Sequence, residues 1–491
     1  MERDNFPTFR RIGRGIAGWS ARRRRGLVER ARRDWLRRLR RLGIGLLVLF
    51  VVLAIPWTYF NITLGIALER EIEQIRERGE PLTLEEALLE TPPRSENAAY
   101  AYEEAFRVFH YWGPSLDGAA SGTMLTALSR PGTREKLEDF VEGRADVLPD
   151  DARKRLFSDG VEQRLDAIRR ASQMKRCVFP VNWEDGYGAL LPHFGQFRAA
   201  QRLVTARMMI AGREGRSEEA LEWCRVGLRM TEHISEEPTL IAFLVRVAMI
   251  EMLSRGAQDI CDDVALTAAQ AESIGSIAGS DDLWQHLHRA MEAERALGLS
   301  LFDGDHQVQD YVATESPADR YPWSLYYSPL GAPLRKNDQL TFVNLYELLI
   351  ERMEHPWREV GQDWPDRQEY TALGGRTAPL TMVLMPVFSR APMNRDAAIA
   401  RLDQFHIALA LNLYRQEHGG YPRTLEPLAG TVDWPIPDDI FSGEPFGYRR
   451  EGDGYVLWSV GQDLDDDGGV SADEAGANWF EDSDIVWRVE G

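Results

Sequence analysis

Between Leu42 and Leu68 the chain carries no charged side chain, and no other feature restricts its fold as strongly. The core of this run, Gly43 to Phe60, reads Gly-Ile-Gly-Leu-Leu-Val-Leu-Phe-Val-Val-Leu-Ala-Ile-Pro-Trp-Thr-Tyr-Phe. About 20 helical residues cross a ~30 Å hydrocarbon layer, so the run is long enough to span one. Trp57 and Tyr59 fall where an interfacial aromatic belt lies. Residues 1–42 hold 15 Arg and no Lys against Glu2, Asp4, Glu29 and Asp34, an excess that favours a cytoplasmic flank. The expectation is a single-pass anchor in the inner (cytoplasmic) membrane, with the N-terminus cytoplasmic and the bulk periplasmic or otherwise extracytoplasmic. A cleaved signal peptide fits less well, because its charged lead would be 41 residues long and no small-x-small cleavage site stands out.

The arm carries a net +11, which leaves −30 on the remainder of a chain whose total is −19. A body this acidic repels nucleic acid, so the expected partners are the membrane, through the N-terminal helix, and proteins of the cell envelope. Cys177, Cys224 and Cys261 are odd in number, widely spaced and without a C-x-x-C pair. They read as small apolar core residues. At 491 residues the chain exceeds one core and is expected to divide. The division read here is a basic arm (1–42), a transmembrane helix (43–66), an α-helical extracytoplasmic domain (67–390) and a small α+β domain (391–491).

Helical periodicity dominates the middle. Segments near 134–142, 150–174, 194–212, 217–234, 238–259, 266–277 and 281–302 are expected helices, and another resumes near 339–354. After Asn97, the residues Tyr102, Ala105, Phe106 and Phe109 share one helix side. Met208-Met-Ile-Ala-Gly-Arg-Glu-Gly215 followed by Ser217-Glu-Glu-Ala-Leu-Glu-Trp-Cys-Arg-Val-Gly-Leu228 is similar to a tetratricopeptide hairpin, with Ser217 as N-cap. No second copy follows at the 34-residue period, and small residues for close helix contact produce the same pattern in any α-hairpin. The stretch Tyr321 to Pro333, rich in Pro and aromatics, reads as a long loop.

From Asn394 an amphipathic helix runs to Gly419-Gly420. Short β-like runs follow at 446–450 and 455–460, joined by the turn Glu451-Gly-Asp-Gly454, and a last strand lies near 482–487. Between them stands Asp463-Leu-Asp-Asp-Asp-Gly-Gly-Val-Ser-Ala-Asp-Glu474. Ca²⁺ takes six to eight oxygens at about 2.3–2.6 Å, and an EF-hand type of loop supplies them from positions one, three, five, seven, nine and twelve. Here these are Asp463, Asp465, Asp467, the Gly469 carbonyl, Ser471 through a water, and a bidentate Glu474. The competing reading is a solvated acidic turn, since Asp and Gly favour turns. Against it, clustered carboxylates repel unless a cation neutralises them.

Leu411 to Leu425, Pro437 to Pro445, Tyr455 to Gly461 and Asp482 to Ile485 together resemble the globular head of type II secretion major pseudopilins. That resemblance covers about residues 393–487 and implies a long helix, a small antiparallel sheet and a calcium loop, with Asp484 as a late acidic ligand competing with Glu474. The whole chain resembles bacterial membrane-anchored proteins that join an all-helical middle to such a tail. The expected fold class is mainly α: one N-terminal transmembrane helix, a helical domain with a TPR-like hairpin, and a small α+β pseudopilin-like end. His286 and His288 with Glu292 and Glu294 suggest a metal cluster on paper, yet residues i and i+2 point to different sides of a helix. No catalytic constellation emerges. The expected function is a membrane-anchored extracytoplasmic scaffold with structural Ca²⁺; the alternatives are an envelope hydrolase and an accessory component of a type II secretion or pilus-like system.

Overall fold

A computed structural model describes residues 9–106, 133–303, 323–361, 364, 377–384, 390–475 and 483–490. Phe109, Tyr321, Pro322 and Asp482 lie outside them. The chain is mainly helical. In order come α1 (Phe9–Glu77), α2 (Leu84–Ala87), α3 (Ala98–Phe106), α4 (Thr133–Val141), α5 (Asp150–Leu156), α6 (Asp159–Ser172), α7 (Pro192–Arg213), α8 (Ser217–Ile234), α9 (Leu240–Ile260), α10 (Ala268–Gly275) and α11 (Asp281–Ser300). Then follow α12 (Trp323–Tyr326), α13 (Ala332–Met353), α14 (Trp357–Val360), α15 (Pro379–Leu384), α16 (Ala391–His418), β1 (Gly447–Glu451), β2 (Gly454–Ser459), α17 (Ala472–Ala475) and β3 (Ile485–Val489).

α1 is one continuous helix through the arm, the apolar run and the charged turns to Glu77, with Pro56 inside it. Its most apolar stretch has no buried residue, and among the described residues it is the one helix long and apolar enough to cross a membrane. Beyond that stretch one side becomes covered: Trp57, Asn61 and Gly65 are half-buried, and Leu68 and Ile75 are buried. This spacing of three to four residues draws a single stripe along the helix, and α13 packs against it.

The middle helices follow the expected order with three local differences. The segment expected to run unbroken over 150–174 is two helices parted at Phe157-Ser158. Ser217 is not an N-cap; it is the first helical residue, and its hydroxyl accepts the Ala265 N–H (3.3 Å). The stretch 321–333, expected as a loop, holds the short helix α12 and a 3₁₀ turn at Pro329–Gly331 that leads straight into α13. α7 and α8 form an antiparallel pair around Gly215, with α9 packed on both. A Cβ at Gly227 would lie 2.8 Å from the end of the Leu253 side chain, so a larger residue here would make that side chain shift.

α16 begins three residues before the expected Asn394 and stops where Gly419, at φ 75°, donates its N–H to Arg415 O (2.8 Å). From Ala391 to Asn412 it is buried on nearly every side, because α9 packs along one flank and the sheet along another. Its polar side chains therefore need partners inside the protein. Gln404 donates to Ile485 O (2.6 Å), and Asn412 to Cys261 O (2.6 Å) and Val264 O (3.1 Å). Arg395 and Asp396 pair directly (2.7 Å) with neither exposed. The Arg395 guanidinium also donates to Met353 O and His355 O (2.8 Å) and lies over the Trp284 ring. Asp396 accepts the Trp357 N–H. One hydrophobic cluster consequently extends from Leu68 to Val489, continuous across residue 390.

The sheet has the order β1-β2-β3 and is antiparallel throughout, with Glu451 opposite Gly454 at the hairpin and Ser459 opposite Ile485 at the other edge. Removing one partner of a buried ion pair leaves an unpaired charge, at a cost of about 3–5 kcal/mol. Asp396→Asn is therefore expected to lower the unfolding free energy by about that amount. Replacing Arg395 and Asp396 together by apolar residues is expected to cost less than the single change, measured by thermal and denaturant unfolding.

Candidate functional site

Alternation along β2 gives the sheet two different faces. Tyr455 and Leu457, with Ile485, Trp487 and Val489 of β3, turn toward α16 and α9; the Phe405 and Trp487 rings lie 6.0 Å apart. Val456 and Trp458 point the opposite way, yet Val456 is inaccessible and Trp458 only 8 % exposed. The acidic loop supplies their cover. A Cβ at Gly469 would sit 3.0 Å from Val456 and 3.1 Å from Trp458, so the loop backbone rests directly on this face.

Each expected ligand has a definite place. Asp463 accepts the N–H groups of Asp465 (3.3 Å) and Ser483 (3.0 Å), closing the two ends of the loop. Asp465 accepts the Asp466 N–H (3.1 Å). The Asp484 carboxylate receives the N–H of Asp467 (3.3 Å) on one oxygen and that of Gly469 (2.6 Å) on the other. Ser471 bonds through its N–H (2.9 Å) and hydroxyl (3.0 Å) to Glu474, whose carboxylate also meets the Arg488 guanidinium (3.0 Å). Arg488 further donates to the Gly469 carbonyl (3.2 Å). The seven residues thus form three groups: Asp463 with Asp465 and the loop ends, Asp467 and Gly469 around Asp484, and Ser471 with Glu474 against Arg488.

Among the described residues no three His, Cys, Asp or Glu side chains gather so that they could hold a metal. The Gly469 carbonyl and the Glu474 carboxylate, positions seven and twelve of the pattern, both meet the Arg488 guanidinium. A second arginine repeats the device one residue earlier, Arg449 donating to Gly468 O (3.1 Å). Arg449, Val456 and Arg488 stand in one cross-strand row, which brings both guanidinium groups beside the loop. Asp466, outside the ligand pattern, accepts the Trp458 indole N–H (2.8 Å) and the Gly468 N–H (2.9 Å). Asp439, wholly buried, takes the Ser459 hydroxyl (2.7 Å) and the Val460 N–H (3.1 Å) and fixes the point where the chain leaves β2.

Burial, with Asp466 and Asp467 adding repulsion, pushes the Asp484 carboxyl up to about 6 against the two N–H bonds that favour its ionised form. The Ser471 N–H and hydroxyl, with Arg488, hold Glu474 below its ordinary value.

The histidines of the helical body separate as their spacing requires. His286 is wholly buried and lies 3.2 Å from Glu237 O, whereas His288 is partly exposed between Glu292 (3.4 Å) and Glu354 (3.6 Å). His288 borders an open cleft of about 370 Å³ with Trp284, Arg289, Ile350, Met353 and Glu354. Glu294, half-buried, accepts the Leu240 N–H (3.2 Å) and is pushed by desolvation up to about 7.

The raised Asp484 value fixes the sign of a pH effect. The folded chain binds this proton more tightly than an unfolded carboxyl of pKa ~3.9, so the favourable contribution is full below that value and is lost as pH rises to about 6. In Asp484→Asn this dependence is absent. The melting temperature of the variant relative to the unsubstituted protein is expected to climb between about pH 4 and about pH 6 and then level off. A difference that falls over this interval would contradict the assignment. Compared with known proteins, the chain matches no family model, no curated protein and no solved structure.

Proposed function

We propose that this chain is a single-pass scaffold of the cell envelope. In this reading α1 crosses the inner membrane with the arginine-rich arm in the cytoplasm, and the acidic helical body and its α+β end stand on the outer side. The observation that carries it is α1 itself: an apolar stretch bare on every side, followed without a break by a stripe seated in the body. Water does not tolerate so large a bare apolar surface, whereas a bilayer requires one.

The join is stiffened by a closed ring of alternating charges. Arg78 meets Glu80 (3.0 Å) and Glu347 (2.5 Å), and Arg295, with no exposed surface, meets Glu80 (2.8 Å) and Glu347. Such a ring holds the body at a set attitude to the bilayer, as suits a platform for protein partners. The antiparallel α7–α8 pair supports a TPR-like hairpin, and a long helix followed by an antiparallel sheet supports a pseudopilin-like end. Membership of a type II secretion or pilus-like assembly is the narrower version of the proposal, tested by co-purification with pilin-like proteins. The cleft beside His288 favours the second reading, an envelope hydrolase. Loss of polymer cleavage in both His288→Ala and Glu354→Gln would support it.

Structural Ca²⁺ at the acidic loop is part of the proposal. Its support is the ligand spacing from Asp463 to Glu474 and the buried Asp484 carboxylate, which the exposed Asp466 and Asp467 repel. Calcium would have to replace Arg488 at Gly469 and Glu474. With the full chain in detergent, calcium at about 1 mM is expected to raise the melting temperature, and more so in Arg488→Gln. No shift in either protein removes calcium from the proposal. For the topology, protease added from the outer side is expected to digest the body and spare the N-terminal arm; the reverse pattern would overturn the orientation.

A further inference from the structure

We infer that the turn Trp323–Gly331 is a second membrane contact, with Leu325 and Leu330 seated in the outer interface of the lipid bilayer. The inference rests on the reading of α1 as a span. A helix that enters the hydrocarbon at Gly43 and needs about 20 residues to cross leaves it near Ile62. Trp57 lies five residues before that level, roughly 7 Å inside it at ~1.5 Å per residue. The Trp57 indole N–H donates to the Leu330 carbonyl (3.0 Å), so this turn reaches the edge of the hydrocarbon. One helical turn further out, Lys336 donates to the Asn61 carbonyl (3.0 Å), with its charge at headgroup level.

The chemistry of the turn suits that depth. Leu330 is 72 % exposed and Leu325 50 %, while the helical body around them buries side chains of the same kind. Pro329 brings no N–H, and the Leu330 carbonyl is already paired, which removes two groups that lipid penalises. Trp323, Tyr326 and Tyr327 form a packed ring cluster behind the leucines, the residue types enriched at a bilayer interface. The turn is also rigid. Tyr326 donates to Asp338 (2.8 Å), Arg335 to Tyr326 O (2.8 Å) and Ser328 to Leu325 O (2.6 Å). A Cβ at Gly331 would lie 2.4 Å from the carbonyls of Leu325 and Tyr326, so only glycine permits this backbone approach. The two leucines are therefore held outward by the structure, and the nearest apolar phase is the one that surrounds α1.

The test uses the full chain in phosphatidylcholine nanodiscs, with a nitroxide at Leu330→Cys or Leu325→Cys. Leu47→Cys in the bare stretch of α1 and Val147→Cys, 75 % exposed on the body, serve as lipid and water references. Burial pushes the Cys224 and Cys261 thiols up to about 12 and raises Cys177, so the native cysteines stay unlabelled near neutral pH, which labelling of the unsubstituted protein checks. Collision with oxygen is expected to exceed collision with a water-soluble nickel chelate several-fold at both leucine positions, as at Leu47 and unlike Val147. Nickel access equal to that of Val147, with Leu47 still in lipid, overturns the second contact and leaves the span intact. Shielding from both reagents means that protein covers the turn and also overturns it. Nickel access at Leu47 overturns the span and this inference together.

Discussion

The constraint on which the fold depends is that α16 has water on almost no side over about six turns. A helix in that position can keep polar side chains only if each finds a partner, and the partners it finds decide what packs where. Gln404 reaches the Ile485 carbonyl and so fixes the sheet against one flank. Asn412 reaches Cys261 and Val264 and fixes the end of α9 against another. Arg395 and Asp396 bind the backbone around Met353, His355 and Trp357, which sets the path of the chain between α13 and α14. Three short polar stretches on one helix thus locate three otherwise separate parts of the molecule.

The two ends of the molecule handle charge in opposite ways. Where α1 joins the body, Arg78, Arg295, Glu80 and Glu347 neutralise one another in a ring that needs nothing from outside. At the sheet, carboxylates outnumber the cations that meet them: Arg449 and Arg488 are spent on Gly468 and Gly469 carbonyls as well as on Glu451 and Glu474, and Asp484 is left repelled by its neighbours. The loop holds its shape because backbone N–H groups do most of the compensation. Leu464 adds local strain by adopting φ 65°, a conformation that disfavours a branched side chain.

Much of this organisation is legible in the sequence, and the reasons are local. The uncharged run from Leu42, the Gly419 stop of α16 and the Gly-Asp turn between β1 and β2 each announce themselves through properties of a few adjacent residues. What the sequence conceals depends on register and on distance. Arg449 and Arg488 stand 39 positions apart, and only strand pairing through Val456 shows that they act on consecutive glycines. Asp466 reads as a spare charge until Trp458 is seen beneath it. Helical periodicity marks an apolar side on α16 but not the second flank that buries the rest, because the covering sheet follows it in the chain.

The sharing of α16 has a consequence for the order in which the protein forms. α9 ends at Ile260, and the wall that covers it comes about 130 residues later, so local helix formation cannot complete this core. Until Ala391 and the residues after it arrive, the surface formed by Ala257, Ile260 and Cys261 has no cover, although α7 and α8 are already able to pair. The last fifth of the chain then behaves as a keystone whose insertion converts a loose helical stack into a closed body. Synthesis from the N-terminus makes that conversion a late and abrupt event, with apolar surface exposed for the interval before it.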